Sequence, residues 1–262
     1  MKKLLVALSA MALLTGSASA ADLGVGHMYT KAPQPVAAAY NWTGFYIFGG
    51  AGGGLWSADN NVVTNPGNVP LTIDQRMGGS GWFGTAGAGY DWQFNNSWVA
   101  GVFADGQFGS IRGSIDDNFA GLTGTEKLRD TWAAGARVGY LVAPNVLSYV
   151  NGGFTESFWS GAALGPTVGT AATATTSSFT RDGWFIGGGV ENNLDIFGIH
   201  IPGLFMKTEY RAAYFNRATL AETSIATGLP TGRSVTFKPL DQTISTSLVY
   251  RFNWGGPVVA KY

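Results

Sequence analysis

The sequence predicts an all-β fold, an eight-stranded antiparallel up-and-down transmembrane β-barrel, and three observations carry that reading. From Leu240 to Phe252 the mostly apolar Ile244, Thr246, Leu248, Tyr250 and Phe252 alternate with Ser245, Ser247, Val249 and Arg251. A period of two places these sets on opposite faces of a strand, one suited to lipid and one to a polar lumen. The chain has 39 glycines, is 13% aromatic and only 12% charged, against about 25% charged in an ordinary soluble domain. Similar segments recur along the chain, joined by links that alternate between short and long, as in outer-membrane barrels.

Residues 1–20 have the form of a cleaved export signal. Lys2 and Lys3 give a positive start, Leu4 to Leu14 an apolar core, and Ala18, Ser19 and Ala20 a small-residue cleavage site. The apolar run is shorter than the ~20 residues that span a bilayer as a helix. Absence of cysteine excludes disulfides and thiolate metal sites. Residues 21–41, with Pro33 and Pro35 and no strand or helix period, read as a periplasmic linker, and 42–252 as the barrel.

Candidate strands fall at about Trp42–Trp56, Trp82–Phe94, Trp98–Ile111, Leu128–Val142, Val146–Trp159, Arg181–Leu194, Gly203–Phe215 and Asp241–Phe252. All ten prolines lie outside them, as expected where every backbone N–H must be paired. The short links are Asn95–Asn96, Ala143–Asn145 and Asp195–Pro202. The long ones, Ser57–Gly81, Arg112–Lys127, Ser160–Thr180 and Asn216–Leu240, are polar or rich in Gly, Thr and Ser and read as external loops.

The faces sort by phase. The first strand is too rich in glycine to phase. In the second, Trp82, Ala86, Ala88, Tyr90, Trp92 and Phe94 face one way and Thr85, Asp91 and Gln93 the other. In the seventh, Leu204, Met206, Tyr210 and Tyr214 alternate with Lys207, Glu209 and Arg211. The aromatics form two girdles, expected at the membrane interfaces. Trp82, Trp132, Trp159, Trp184 and Tyr214 mark the outer one; Trp92, Phe94, Trp98, Tyr140, Tyr250 and Phe252 mark the periplasmic one. Asp130 and Glu156 fall in the lipid-facing phase, near the rim or beside a register-shifting bulge.

The inward phase collects charge: Asp105, Glu191 and Glu209 against Arg129, Arg137, Lys207, Arg211 and Arg251. An eight-stranded barrel is only just wide enough for side chains to fill it. These residues therefore form either a structural plug of paired charges or, through the basic surplus, the lining of a narrow anion-favouring path. Gly79, Gly81 and Gly84 match a dinucleotide fingerprint, but they precede a strand where that fingerprint must follow one. The only two histidines, His27 and His200, fall in the leading linker and a periplasmic link, away from the outer rim where a hydrolytic base would stand. No catalytic residue, metal ligand or cofactor is expected, and the scattered basic residues argue against nucleic acid.

The Ala-Asp-Leu after the signal, Tyr29-Thr30-Lys31-Ala32-Pro33, Tyr40-Asn41-Trp42-Thr43-Gly44-Phe45-Tyr46 and the ending Tyr250-Arg251-Phe252 resemble the alphaproteobacterial outer-membrane immunogenic protein family, porin-like proteins with an OmpA-like eight-stranded barrel. The resemblance implies an outer-membrane location, exposed loops, and a structural, surface-antigen or small-pore role. Expected partners are outer-membrane lipid and lipopolysaccharide, the assembly machinery, and host or surface ligands at the loops. A terminal aromatic usually ends such chains as the assembly signal. Here Asn253 to Tyr262 follow Phe252, and the Gly255-Gly256-Pro257 break favours Phe252 as an internal signal, with 253–262 a tail. A soluble lipocalin-like barrel would need the apolar phase to face inward, which the outward aromatics oppose.

Overall fold

The computed structural model describes residues 40–196 and 199–252, so the expected signal, most of the linker and the tail lie outside the described residues. Alternation at period two builds eleven antiparallel strands: β1 (Gly44–Thr64), β2 (Gln75–Phe94), β3 (Trp98–Asp117), β4 (Leu122–Ala143), β5 (Val146–Trp159), β6 (Ala163–Gly165), β7 (Ala174–Thr176), β8 (Phe179–Ile196), β9 (Ile199–Phe215), β10 (Ala218–Ser224) and β11 (Pro230–Phe252). The sheet runs β1-β2-β3-β4-β5-β8-β9-β11 and closes through β1 against β11, a ring of eight. β6, β7 and β10 carry the same ring outward. β6 follows β5 along β4, β7 pairs with β6 as β8 does with β5, and β10 bridges β7 and β11.

The strands are longer than expected. β1 has 21 residues, β4 has 22 and β11 has 23. At about 3.3 Å per residue and a tilt near 40° they rise about 53–58 Å, roughly twice the ~25 Å apolar band of an outer-membrane barrel. Three of the four long links expected as external loops are therefore mostly β-structure, while Ser160–Thr180 holds only the short β6 and β7 and the start of β8; the hairpin tips lie at 65–74, 118–121, 166–173 and 225–229. Their sequences hid this because polar, Gly and Thr residues cover the outer face and bulges interrupt the alternation. One bulge lies in β4 between Leu128 and Asp130, with matching irregularity opposite Phe108–Ile111. At the other end, Asn95 and Asn96 take left-handed backbone conformations (φ 49° and 58°) that make the tight turn into β3.

The prolines do not all lie outside strands. Pro202 lies near the start of β9, Pro230 opens β11, and Pro239 lies inside it. β11 pairs with β10 as far as Phe237 and with β9 from Leu240, so Lys238 and Pro239 span the gap between neighbours, where a missing N–H costs least. The first strand does have a phase: Tyr46, Phe48, Trp56 and Ala58 point inward and Phe45, Ile47 and Leu55 outward. Its glycines permit close approach. A Cβ on Gly52 would sit 2.6 Å from the Phe83 ring. Tyr40 and Trp42 are packed on Phe205, so the barrel interior begins before the first strand.

Candidate functional site in the barrel interior

The expected girdle residues Trp82, Trp92, Trp98, Trp132, Tyr140, Trp184, Tyr214 and Tyr250 are exposed on the outside of the wall, and Phe252 is partly so, its ring beside Phe45. On β2, Trp82 and Trp92 are ten residues apart, which corresponds to about 25 Å of height at this tilt. Trp184 stacks on Tyr214 with centroids 4.5 Å apart, and Trp98 meets Tyr140 edge-on at 5.2 Å. Trp159 is a correction. It is fully buried, stacked on Phe179 and edge-on to Trp56 and Phe237, with its Nε1 donating to Ser157 Oγ. It shares the inward phase of Thr155 and Ser157, in the part of the barrel above the girdle where water, not lipid, surrounds the wall. Glu156 faces out and accepts a 2.6 Å hydrogen bond from Trp132 Nε1.

Inside the membrane-spanning half two ion-pair groups form. Nearer the periplasmic end, Arg137 donates to Asp91 Oδ1 at 3.0 Å through Nε and to Glu191 at 3.1 Å through Nη1. Arg251 donates to Glu191 at 2.7 Å, and its Nη2 lies 2.8 Å from Asp91 Oδ2. Tyr46 lies beneath both guanidinium groups, at 4.5 Å from Arg137 and 4.9 Å from Arg251, and Trp42 faces Arg251 at 4.4 Å. Further out, Arg211 forks onto Asp105 at 2.9 and 2.7 Å and also reaches Glu209 at 2.8 Å. Tyr149 and Asn151 donate to the other Glu209 oxygen, and Lys207 lies 3.8 Å from it and 3.3 Å above the Phe48 ring. Each arrangement suits buried charge, because every carboxylate is matched to at least one cation, and Glu209 has neutral donors besides.

The expected lumen charges thus lose one member and gain two, Asp91 and Asp241, of which Asp241 is buried on β11 without an ion pair among the described residues. Asp91, in the inward phase but absent from the expected set, is fully buried at the centre of the first group. Its signal was its place in the inward phase of β2; Gly101, directly across from it, makes room for the Asp91 carboxylate. Arg129 is not in the lumen. It is exposed, because the β4 bulge inserts one residue and turns it to the outside. The ion-paired set is then Asp91, Asp105, Glu191 and Glu209 with Arg137, Lys207, Arg211 and Arg251, four acids and four bases.

The outer half has a different interior. Trp56, Ile115, Trp159, Leu164, Val235 and Phe237 are all at most 1% exposed and belong to one apolar cluster. Charge within it is sparse. Glu126 accepts from its neighbour's N–H and from Ser160 but faces no cation, and burial pushes its carboxyl up to about 8. Near the tips Arg233 donates to Asp117 at 2.8 Å and Glu222 at 3.2 Å, tying β3, β10 and β11. Burial, and secondarily the Asp117 carboxylate, raise Glu222 to about 7. Among the described residues no cluster of three or more His, Cys, Asp or Glu could hold a metal ion. His27 lies outside the described residues, and His200 lies at the start of β9.

A ring of eight antiparallel strands with outward aromatic girdles and an inward polar phase defines a transmembrane barrel of the outer-membrane type. The family model described as "Outer membrane protein beta-barrel domain" matches residues 4–252, and the chain belongs to that outer-membrane family. The 31 kDa outer-membrane immunogenic proteins of Brucella melitensis and Brucella suis are each 32% identical over 196 residues, covering 73% of this chain and 80% of theirs. Similar solved structures include OprG of Pseudomonas aeruginosa, at 9% identity and TM-score 0.45 over 81% of this chain and 98% of that one. Neisserial surface protein A gives 13% identity and TM-score 0.38 over 80% and 98%. The protein resides in the bacterial outer membrane.

Proposed function

We propose that the protein is a closed barrel that acts through its outer surface, with a lumen that serves as a structural core. The observation that supports this most is the pairing of the lumen charges with one another. Asp91, Glu191, Arg137 and Arg251 have side chains 0–3% exposed, and no basic excess remains among the ion-paired residues to favour anions. The apolar cluster of the outer half stands above them as a second obstruction to ions. This reading assigns no catalytic step; contact with host or other surface ligands falls to the four hairpin tips.

The test is single-channel conductance of the refolded, detergent-purified protein in a planar bilayer, with folding verified by heat modifiability. A silent bilayer is expected. Discrete, reproducible steps that change with Arg137 or Arg211 substitution would place function in the lumen as a small pore.

A further inference from the structure

The outer wall just above the girdle carries an unpaired basic cluster on β3 and β4. Arg112 and Lys127 are directly opposite across the two strands and both lie in the outward phase, and Arg129 is exposed at the bulge two residues further along β4. Cβ atoms of cross-strand partners lie about 5 Å apart, and like charges so placed are destabilising. Among the described residues none of the three makes an ion pair. Arg112 Nε donates to Ser110 Oγ at 2.8 Å, and the nearby Asp116 carboxylate is engaged by Thr123. Asp130, beside Arg129, is the acid within the cluster. Other exposed basic residues of the outer half are placed differently: Arg76 and Lys238 flank Asp59 from either side in the same register, and Arg217 stands apart on the approach to β10, donating to Thr236 Oγ1.

Height identifies the anion that would relieve this repulsion. Arg112 lies two residues beyond Ser110, the register partner of Trp82, and Lys127 lies five residues beyond Trp132. At this strand tilt these offsets are about 5–12 Å above the girdle, the level of the headgroups when the tryptophans mark the interface. We propose that Arg112, Lys127 and Arg129 bind a phosphate monoester on a glycolipid of the outer leaflet. A monoester carries up to two negative charges on three free oxygens that the Arg fork and the Lys ammonium can share, whereas the phosphodiester of a zwitterionic headgroup carries one charge already offset by its own ammonium. The site lies on the outer wall and stands whether or not the lumen conducts.

The probes are bisphosphorylated lipid A, the same lipid with its phosphates removed, and inorganic phosphate. Binding is read by native mass spectrometry on the full-length barrel folded in a neutral detergent. The phosphorylated lipid is expected to bind at least about tenfold more tightly than its dephosphorylated form, as for one lost charge-assisted contact. The double substitution R112Q/K127Q should abolish that preference, and Lys127→Glu, which gives Arg112 a carboxylate partner, should do so while keeping the heat-modifiable fold. R76Q should retain it. Equal binding of the two lipids, or an unchanged preference in both cluster variants, would overturn the site. Equally tight occupancy by inorganic phosphate would overturn the glycolipid as its ligand.

Discussion

The membrane-spanning half and the outer half of this barrel share the strands β1 to β4 and β11 and each encloses a buried apolar cluster, yet they differ in how much charge they hold among it. Below the Trp82 girdle the inside holds eight ion-paired charges and the outside holds Ile47, Val138, Ile186 and Leu248. Above it the inside holds Trp56, Trp159 and Phe237, and the outside holds Asp59, Arg76, Arg112 and Lys238. The surrounding solvent accounts for the difference. Lipid tails are as apolar as a leucine side chain, so burying Phe103, Leu147 and Phe205 inside the membrane half gains less than it would in water, and ion pairs and hydrogen bonds that lipid cannot satisfy add cohesion there. In water the hydrophobic effect returns, and the same wall closes on an apolar core.

The comparison can be broken at either level. Arg137→Ala would leave Asp91 and Glu191 short of a partner inside the membrane half, and should cost about 3–5 kcal/mol in urea unfolding from lipid vesicles. Leu164→Ala, in the outer core, should cost about 2–5 kcal/mol but locally. Protease should nick the hairpin tips sooner while the membrane half stays protected. The smallest effect, and the one that sharpens the contrast, is with pH. Glu126 titrates near 8 in the fold, above the ordinary carboxylate range, so the folded outer half holds its proton more tightly than the unfolded chain does. Stability of that half should be highest in acid and fall as pH rises from about 4.5 to about 8. Nicking should accelerate over that same range and level off above about pH 8, and Glu126→Gln should flatten the dependence.

The sequence disclosed the membrane half better than the outer half, for a physical reason. In β9 the alternation of Lys207, Glu209 and Arg211 with Met206, Tyr210 and Tyr214 is sharp because one side meets lipid and the other a charged lumen. In the outer half the water-facing side is Ser, Thr, Gly and Asn, the inward apolar residues are spaced by bulges, and the stretches look like loops. The same bulge hid the outward turn of Arg129. Asp91 was legible by phase alone. Tyr46 and Phe48 were masked by the glycines that follow them, although those glycines are what let the neighbouring strands and the Phe83 ring come close to β1.

Hydrogen–deuterium exchange of the protein folded in lipid, followed through the segments 55–64, 111–117 and 230–240, tests the two-part barrel most directly. If the outer half is a continuous sheet around an apolar core, these amides should resist exchange for hours, close to those of the membrane half, while the tips at 65–74 and 166–173 exchange within seconds. Complete exchange of all three segments on the time scale of the tips would show them to be loops and contradict the account.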